Sequence, residues 1–162
     1  MNYFDPFDTI EKQESQTPSG ILSRERVRWE ITWMEIARTI AKNRSSDPRL
    51  QVAAIIVSDD NATLLSLGYN GGIVGGSNNP ASPEPGKSEL IHAESNALIK
   101  CPFHYPKKKI MYVTASPCAT CARMIVNAGI SKVIYDVEYR DREGVDILLH
   151  AGVEAIKLSD IL

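Results

Sequence analysis

Six consecutive apolar residues, Val52-Ala53-Ala54-Ile55-Ile56-Val57, stand between polar stretches and make the longest apolar run of the chain. A run this short cannot cross a bilayer, and its lack of alternation predicts an interior strand covered on both faces. Asp59, Asp60, Asn61 and Ala62 supply a tight connection, so 63–69 becomes the hairpin partner of that strand. Upstream, Trp29, Trp33, Ile36, Ala37 and Ile40 recur at steps of three and four. That spacing predicts a helix over 23–43 with one buried stripe and Ser23 as its N-cap. Downstream, helix and strand alternate: helix 93–100, strand 110–114, helix 119–127 stopped by Gly129, strand 132–136, helix 142–149 and strand 153–158. Alternation of this kind implies parallel strands joined by crossovers. With the opening hairpin it gives an α/β fold whose mixed sheet has helices on both faces.

Two stretches break the pattern. Residues 1–20 hold Pro6, Pro18, Gly20 and many polar side chains, and read as an irregular arm before a single domain over 21–162. From Asn70 to Glu89 the chain carries Gly71, Gly72, Gly75, Gly76, Asn78, Asn79, Pro80, Pro83 and Pro85. No regular element of any length fits there. Loops beyond about 12–15 residues in compact domains usually have a function.

Composition narrows the classes. With 162 residues, 43% of them hydrophobic, the chain can bury one sizeable core. Eighteen basic against twenty acidic residues give a formal net charge of -2, which argues against a nucleic-acid surface but not against a small anionic ligand. Three cysteines, two of them in Cys118-Ala119-Thr120-Cys121, do not make a disulfide framework. The first fifteen residues contain no apolar run after a basic patch, so no signal peptide is expected and a cytoplasmic location follows.

The chemistry concentrates in two short motifs. His92-Ala93-Glu94 follows the long loop and opens one helix; Pro117-Cys118-Ala119-Thr120-Cys121 follows a strand and opens another. One imidazole and two thiolates, His92, Cys118 and Cys121, form a three-ligand set for Zn2+ that leaves a fourth position for water, as in catalytic rather than structural sites. Helix N-termini suit thiolates, because free N–H groups and the helix dipole stabilise negative sulfur. Glu94, two residues past His92, is placed to move protons without ligating. Alone, Cys-x-x-Cys divides between redox pair, structural half-site and catalytic pair; His-x-Glu followed by Pro-Cys-x-x-Cys is the zinc deaminase signature. Cys101, with no partner in the pattern, reads as a small core residue.

These motifs resemble the zinc-dependent cytidine and deoxycytidylate deaminase superfamily, and within it the deoxycytidylate (dCMP) deaminases, over roughly 33–152. Gly68-Tyr69-Asn70-Gly71 is similar to the family's strand-end turn, 113–118 to its strand-to-helix edge, and the stretches at 127–130 and around Tyr135 and Tyr139 also look typical. The resemblance implies a three-layer α/β/α fold of the cytidine deaminase type, with a mixed five-stranded sheet whose last strands are parallel. It implies hydrolysis of dCMP to dUMP and ammonia, with Zn2+ on His92, Cys118 and Cys121 and Glu94 as proton shuttle. Substrate contacts fall to Asn70 and Gly71, to the backbone N–H of Ala93, to the backbone near Ser116 and to Tyr139. Asn-Gly is also a common turn pair, whereas the N–H groups of Gly71 and Gly72 could build an anion nest. Cations for a phosphate would come from Lys87, Arg140 or Arg142, with Ser77 and Ser88 as further candidates. Relatives often bind a second, structural metal, but 72–91 holds no Cys or His for one. The resemblance extends to homo-oligomers, hexamers among them, and to dCTP and dTTP as effectors. Other cytosine nucleotides, nucleosides, or the adenosine of a tRNA are the alternative substrates.

Overall fold

The computed structural model describes residues 15–16, 22–23, 26–76, 89–102 and 104–162. Most of the arm expected over 1–20, together with Ser77, Lys87 and Ser88, lies outside the described residues. A two-residue strand β1 (Ser15–Gln16) pairs antiparallel with β2 (Leu22–Ser23). Ser23 is therefore extended and does not cap the first helix. Helix α1 (Trp29–Arg44) starts later, at an Arg28 N-cap that makes no side-chain capping bond.

The main sheet is built from β3 (Ala53–Ser58), β4 (Leu64–Tyr69), β5 (Lys109–Ala115), β6 (Ile130–Val137) and β7 (Glu154–Lys157), in the order β4-β3-β5-β6-β7. β3 runs antiparallel to both β4 and β5, while β5, β6 and β7 are mutually parallel. The expected mixed five-stranded sheet with parallel final strands is thus present. Helices α2 (Ala93–Lys100), α3 (Ala119–Asn127) and α4 (Glu143–His150) provide the crossovers. Gly129, with φ +70, supplies the left-handed residue that ends α3.

Alternation along the central strands explains the three layers. In β3, Ala54 and Ile56 face a core shared with Ala93 and Ala97 of α2, Ala122 and Ile125 of α3, and Val145 and Leu148 of α4. Ile55 and Val57 point the other way, against Trp33, Met34 and Ala37 of α1. Every residue of β3 and β5 is buried, which is why their sequences do not alternate. The α1 stripe differs from the expected one. Trp33, Met34, Ala37 and Ala41 are buried, but Ile36 is 40% exposed and Trp29 is 48% exposed. Small Ala37 and Ala41 let the helix settle close to the sheet, which turns Ile36 to the rim, and Trp29 stacks on Trp33 with ring centroids 5.7 Å apart. A bidentate pair, Arg38 Nε to Asp136 Oδ2 at 2.7 Å and Nη2 to Oδ1 at 2.6 Å, ties α1 to β6. Among the described residues no helix is long and apolar enough to cross a membrane.

Candidate active site

Because β4, β5 and β6 run the same way, their carboxyl ends meet at one edge of the sheet, beside the start of the oppositely directed β3. Ligands of open α/β sheets bind at such carboxyl edges. Here a cleft of about 280 Å³ opens there, bordered by Asn70 after β4, Ala115 and Ser116 at the end of β5, and Tyr139 and Arg140 after β6. His92, Ala93, Glu94 and Cys118 border it from the helix side.

His92 is the N-cap of α2 and Cys118 the N-cap of α3, and neither uses its side chain to cap its helix. Both side chains are free to turn towards each other. His92 Nδ1 lies 3.6 Å from Cys118 Sγ and 3.4 Å from Cys121 Sγ, and the three ligand atoms all fall within 4.8 Å of one another. For tetrahedral zinc, with Zn–N near 2.05 Å and Zn–S near 2.3 Å, the N···S separation is about 3.6 Å. The donor set therefore fits a zinc ion in both chemistry and spacing. The sulfurs differ in setting. A hydrogen bond from Cys121 and then His92 draw the Cys118 thiol well below the ordinary thiol range, while the same Cys118 contact and burial push Cys121 up. Ser95 Oγ sits 3.8 Å from Cys121 Sγ as a further polar neighbour. A divalent cation would release the proton the two sulfurs share, since both ligate as thiolates.

Glu94, in the first turn of α2, is only 4% exposed. Burial raises its carboxyl above the ordinary value, against the pull of its own backbone N–H and of the charge on His92. A carboxyl with raised proton affinity, beside the ligand set, is suited to take up a proton and pass it on. Two glycines set the packing around these groups. A Cβ on Gly68 would stand 2.3 Å from the Ala93 carbonyl, and one on Gly144 would stand 1.9 Å from the Pro117 carbonyl. α2 and α4 approach their neighbours this closely only because those side chains are absent. Asn96 Nδ2 to the Tyr69 carbonyl (2.9 Å) and Ser66 Oγ to the Ala97 carbonyl (2.9 Å) hold α2 on β4.

The remaining expected residues divide. Ser116 and Tyr139 meet at the cleft, where Tyr139 N–H donates to Ser116 Oγ at 2.8 Å. Arg140, at φ +41, borders the cleft with its guanidinium 4.9 Å from the Tyr139 ring centroid. Arg142 instead faces Asp146 at 3.9 Å and does not line the cleft. Gly71 does not supply an open anion nest: it pairs with Ile91, donating its N–H to that carbonyl at 3.2 Å and accepting the Ile91 N–H at 2.9 Å. Sequence reasoning missed Asp47 and Arg49, which also line the cleft. The available signal was the polar Asp-Pro-Arg turn immediately before the all-apolar strand. Cys101 packs partly buried against the core, in keeping with its expected role.

Residues 27–137 match the protein family described as the cytidine and deoxycytidylate deaminase zinc-binding region. The chain is 33% identical over 147 residues to the ComE operon protein 2 of Bacillus subtilis, covering 85% of this chain and 76% of that protein. It is 32% identical over 125 residues to the deoxycytidylate deaminase of Mycobacterium phage D29, covering 68% of this chain and 95% of the phage protein. Among solved structures, the dCMP deaminase of cyanophage S-TIM5 in complex with dCMP and dUMP is similar over 82% of this chain and 99% of that chain, with a TM-score of 0.69 and 34% identity.

Proposed function

Given that the chain belongs to the cytidine and deoxycytidylate deaminase family, we propose that it hydrolyses dCMP to dUMP and ammonia at the cleft that ends β4, β5 and β6. The observation that carries this reading is the meeting, in one cleft, of a His92–Cys118–Cys121 set with zinc spacing and a buried carboxyl, Glu94. A structure of a dCMP deaminase holding dCMP and dUMP, similar over most of this chain, supports the substrate.

His92, Cys118 and Cys121 would hold Zn2+, which when bound would lower the pKa of a water towards about 7 and so supply a nucleophile at neutral pH. Glu94 takes the proton from the attacking water and delivers it to the ring nitrogen N3. It then takes the remaining proton from the new C4 hydroxyl and gives it to the amine, which leaves as ammonia while C4 becomes a carbonyl, so one buried carboxyl serves both transfers. The N–H of Ala93, first residue of α2, has no carbonyl four residues back within its helix, which supports its assignment as donor to the base carbonyl. The backbone carbonyl near Ser116, whose side chain anchors the Tyr139 loop, is assigned to accept from the exocyclic amine. Tyr139, which borders the cleft, is assigned to flank the base.

Incubation of the zinc-loaded protein with dCMP, CMP, cytidine and dCTP, followed by measurement of ammonia, tests the assignment. dCMP is expected to react fastest. Absence of ammonia from all four would overturn it.

A further inference from the structure

The two sulfurs of the ligand set are not equally provided for. Cys118 is the N-cap of α3, and its sulfur accepts the backbone N–H of Cys121, one of the donors that the first turn of a helix leaves free. Cys121 is the third residue of α3 and only 1% exposed, so bulk water does not reach it. Among the described residues, the polar groups at its sulfur are His92 and Cys118, which belong to the ligand set, and Ser95 Oγ at 3.8 Å. A buried anion is costly unless hydrogen bonds satisfy it. Cysteines ligate as thiolates, and the donor left to the Cys121 thiolate from outside the ligand set is Ser95.

Ser95 is the third residue of α2 and half-buried. A hydroxyl inside a helix can turn back to the carbonyl four residues earlier, and α1 does so twice: Thr32 Oγ1 donates to the Arg28 carbonyl at 3.2 Å and Thr39 Oγ1 to the Glu35 carbonyl at 2.9 Å. In α2 the corresponding carbonyl, that of Ile91, accepts the Gly71 N–H at 3.2 Å. The Ser95 hydroxyl instead reaches across to α3 and Cys121. Either atom of that pair can donate while Cys121 holds a proton. A ligating cysteine has none, so the serine O–H is then the donor and the sulfur the acceptor. From neighbouring positions α2 thus brings the ligand His92, the acid Glu94 and a hydroxyl for the far sulfur.

Resting on the zinc-site reading above, we propose that Ser95 is a positioning residue of the metal centre: its hydroxyl donates to the Cys121 thiolate, orients that sulfur and carries part of its charge, in place of the helix N–H that serves Cys118. Outer partners of this kind hold ligands in place and tune the metal. At 3.8 Å the bond is long, which sets the expected effect at the lower end of what such partners contribute.

The test compares the wild type, Ser95→Ala and Ser95→Thr as full chains, by competition for Zn2+ against a fluorescent chelator and by the absorption spectrum of the Co2+-substituted protein. Ser95→Ala should bind zinc about tenfold more weakly. Its sulfur-to-cobalt charge-transfer band should move to longer wavelength, because a sulfur that has lost a hydrogen-bond donor gives up its electrons more easily. The visible bands should keep their tetrahedral intensity, since the ligands are unchanged. Alanine is the better helix former, so the substitution does not weaken α2 itself. Ser95→Thr keeps the hydroxyl and should restore both affinity and band position. An unchanged zinc affinity, an unmoved band, or a loss that threonine does not repair would overturn the proposal. A wild type that binds no zinc sinks the zinc-site reading and this inference with it; a wild type that binds zinc tightly and is matched by Ser95→Ala sinks this inference alone.

Discussion

Glu94 is a charged residue placed where charge is costly, and that cost is informative. A buried carboxyl beside an imidazole and two sulfurs has its proton affinity raised by desolvation, whereas a structural metal site gains nothing from an unligated acid next to it. Glu94→Gln keeps shape and burial but cannot accept and return a proton. It should lower kcat about 10²- to 10⁴-fold, while elemental analysis finds the same zinc content per chain as in the wild type. Retained turnover would remove Glu94 from the reaction, and lost zinc would make it a ligand or the support of one. Asn70 makes a different point at this scale. Its identity and strand-end position were legible, but only the structure shows that its amide makes three bonds into 45–52 while the residue also borders the cleft.

Among elements, the site depends on how closely helices seat on the strands that precede them. Gly68 admits α2, which carries His92 at its N-cap and Glu94 in its first turn; Gly144 admits α4 against the Pro117–Cys118 turn. A methyl at either position meets backbone, which cannot swing aside as a side chain can. Gly68→Ala and Gly144→Ala are each expected to destabilise the fold by about 1–3 kcal/mol or more, seen as lowered urea midpoints. Gly71→Ala serves as the contrast, because its Cβ would come no nearer than 3.4 Å to the Tyr69 ring and its stability should change little. Equal midpoints for all three variants would refute the close-approach argument. The displaced first element has a similar physical reason. Ser23 is a sound N-cap by residue type, but the pairing of β1 with β2 draws it into an extended segment, and α1 begins at Trp29 instead.

For the whole molecule, one ion would join α2 to α3, and these helices follow different strands of one sheet. Metal binding should therefore stabilise the entire domain. With free zinc a hundredfold above its Kd, mass action adds about 2.7 kcal/mol, or about 5–10 °C in Tm for a chain of this size. Chelation should remove that increment, readdition of zinc should restore it, and His92→Ala should show no zinc-dependent shift in a thermal melt. A Tm indifferent to chelator in protein shown to have lost its metal would contradict the bridge. By itself the sequence determined the order of the main-sheet strands and the helices, the doubly covered β3, and which imidazole, two thiols and carboxyl the structure brings together. Those follow from local periodicity and from residue types that few other chemistries combine. The tertiary structure alone decided which face of α1 is buried, that Gly71 is bonded rather than open, and that Asp47 and Arg49 join a cleft with Tyr139 and Arg140. Each of these depends on segments far apart in the chain meeting at one sheet edge, and pairwise meeting at a distance leaves no periodic trace in the residues that take part.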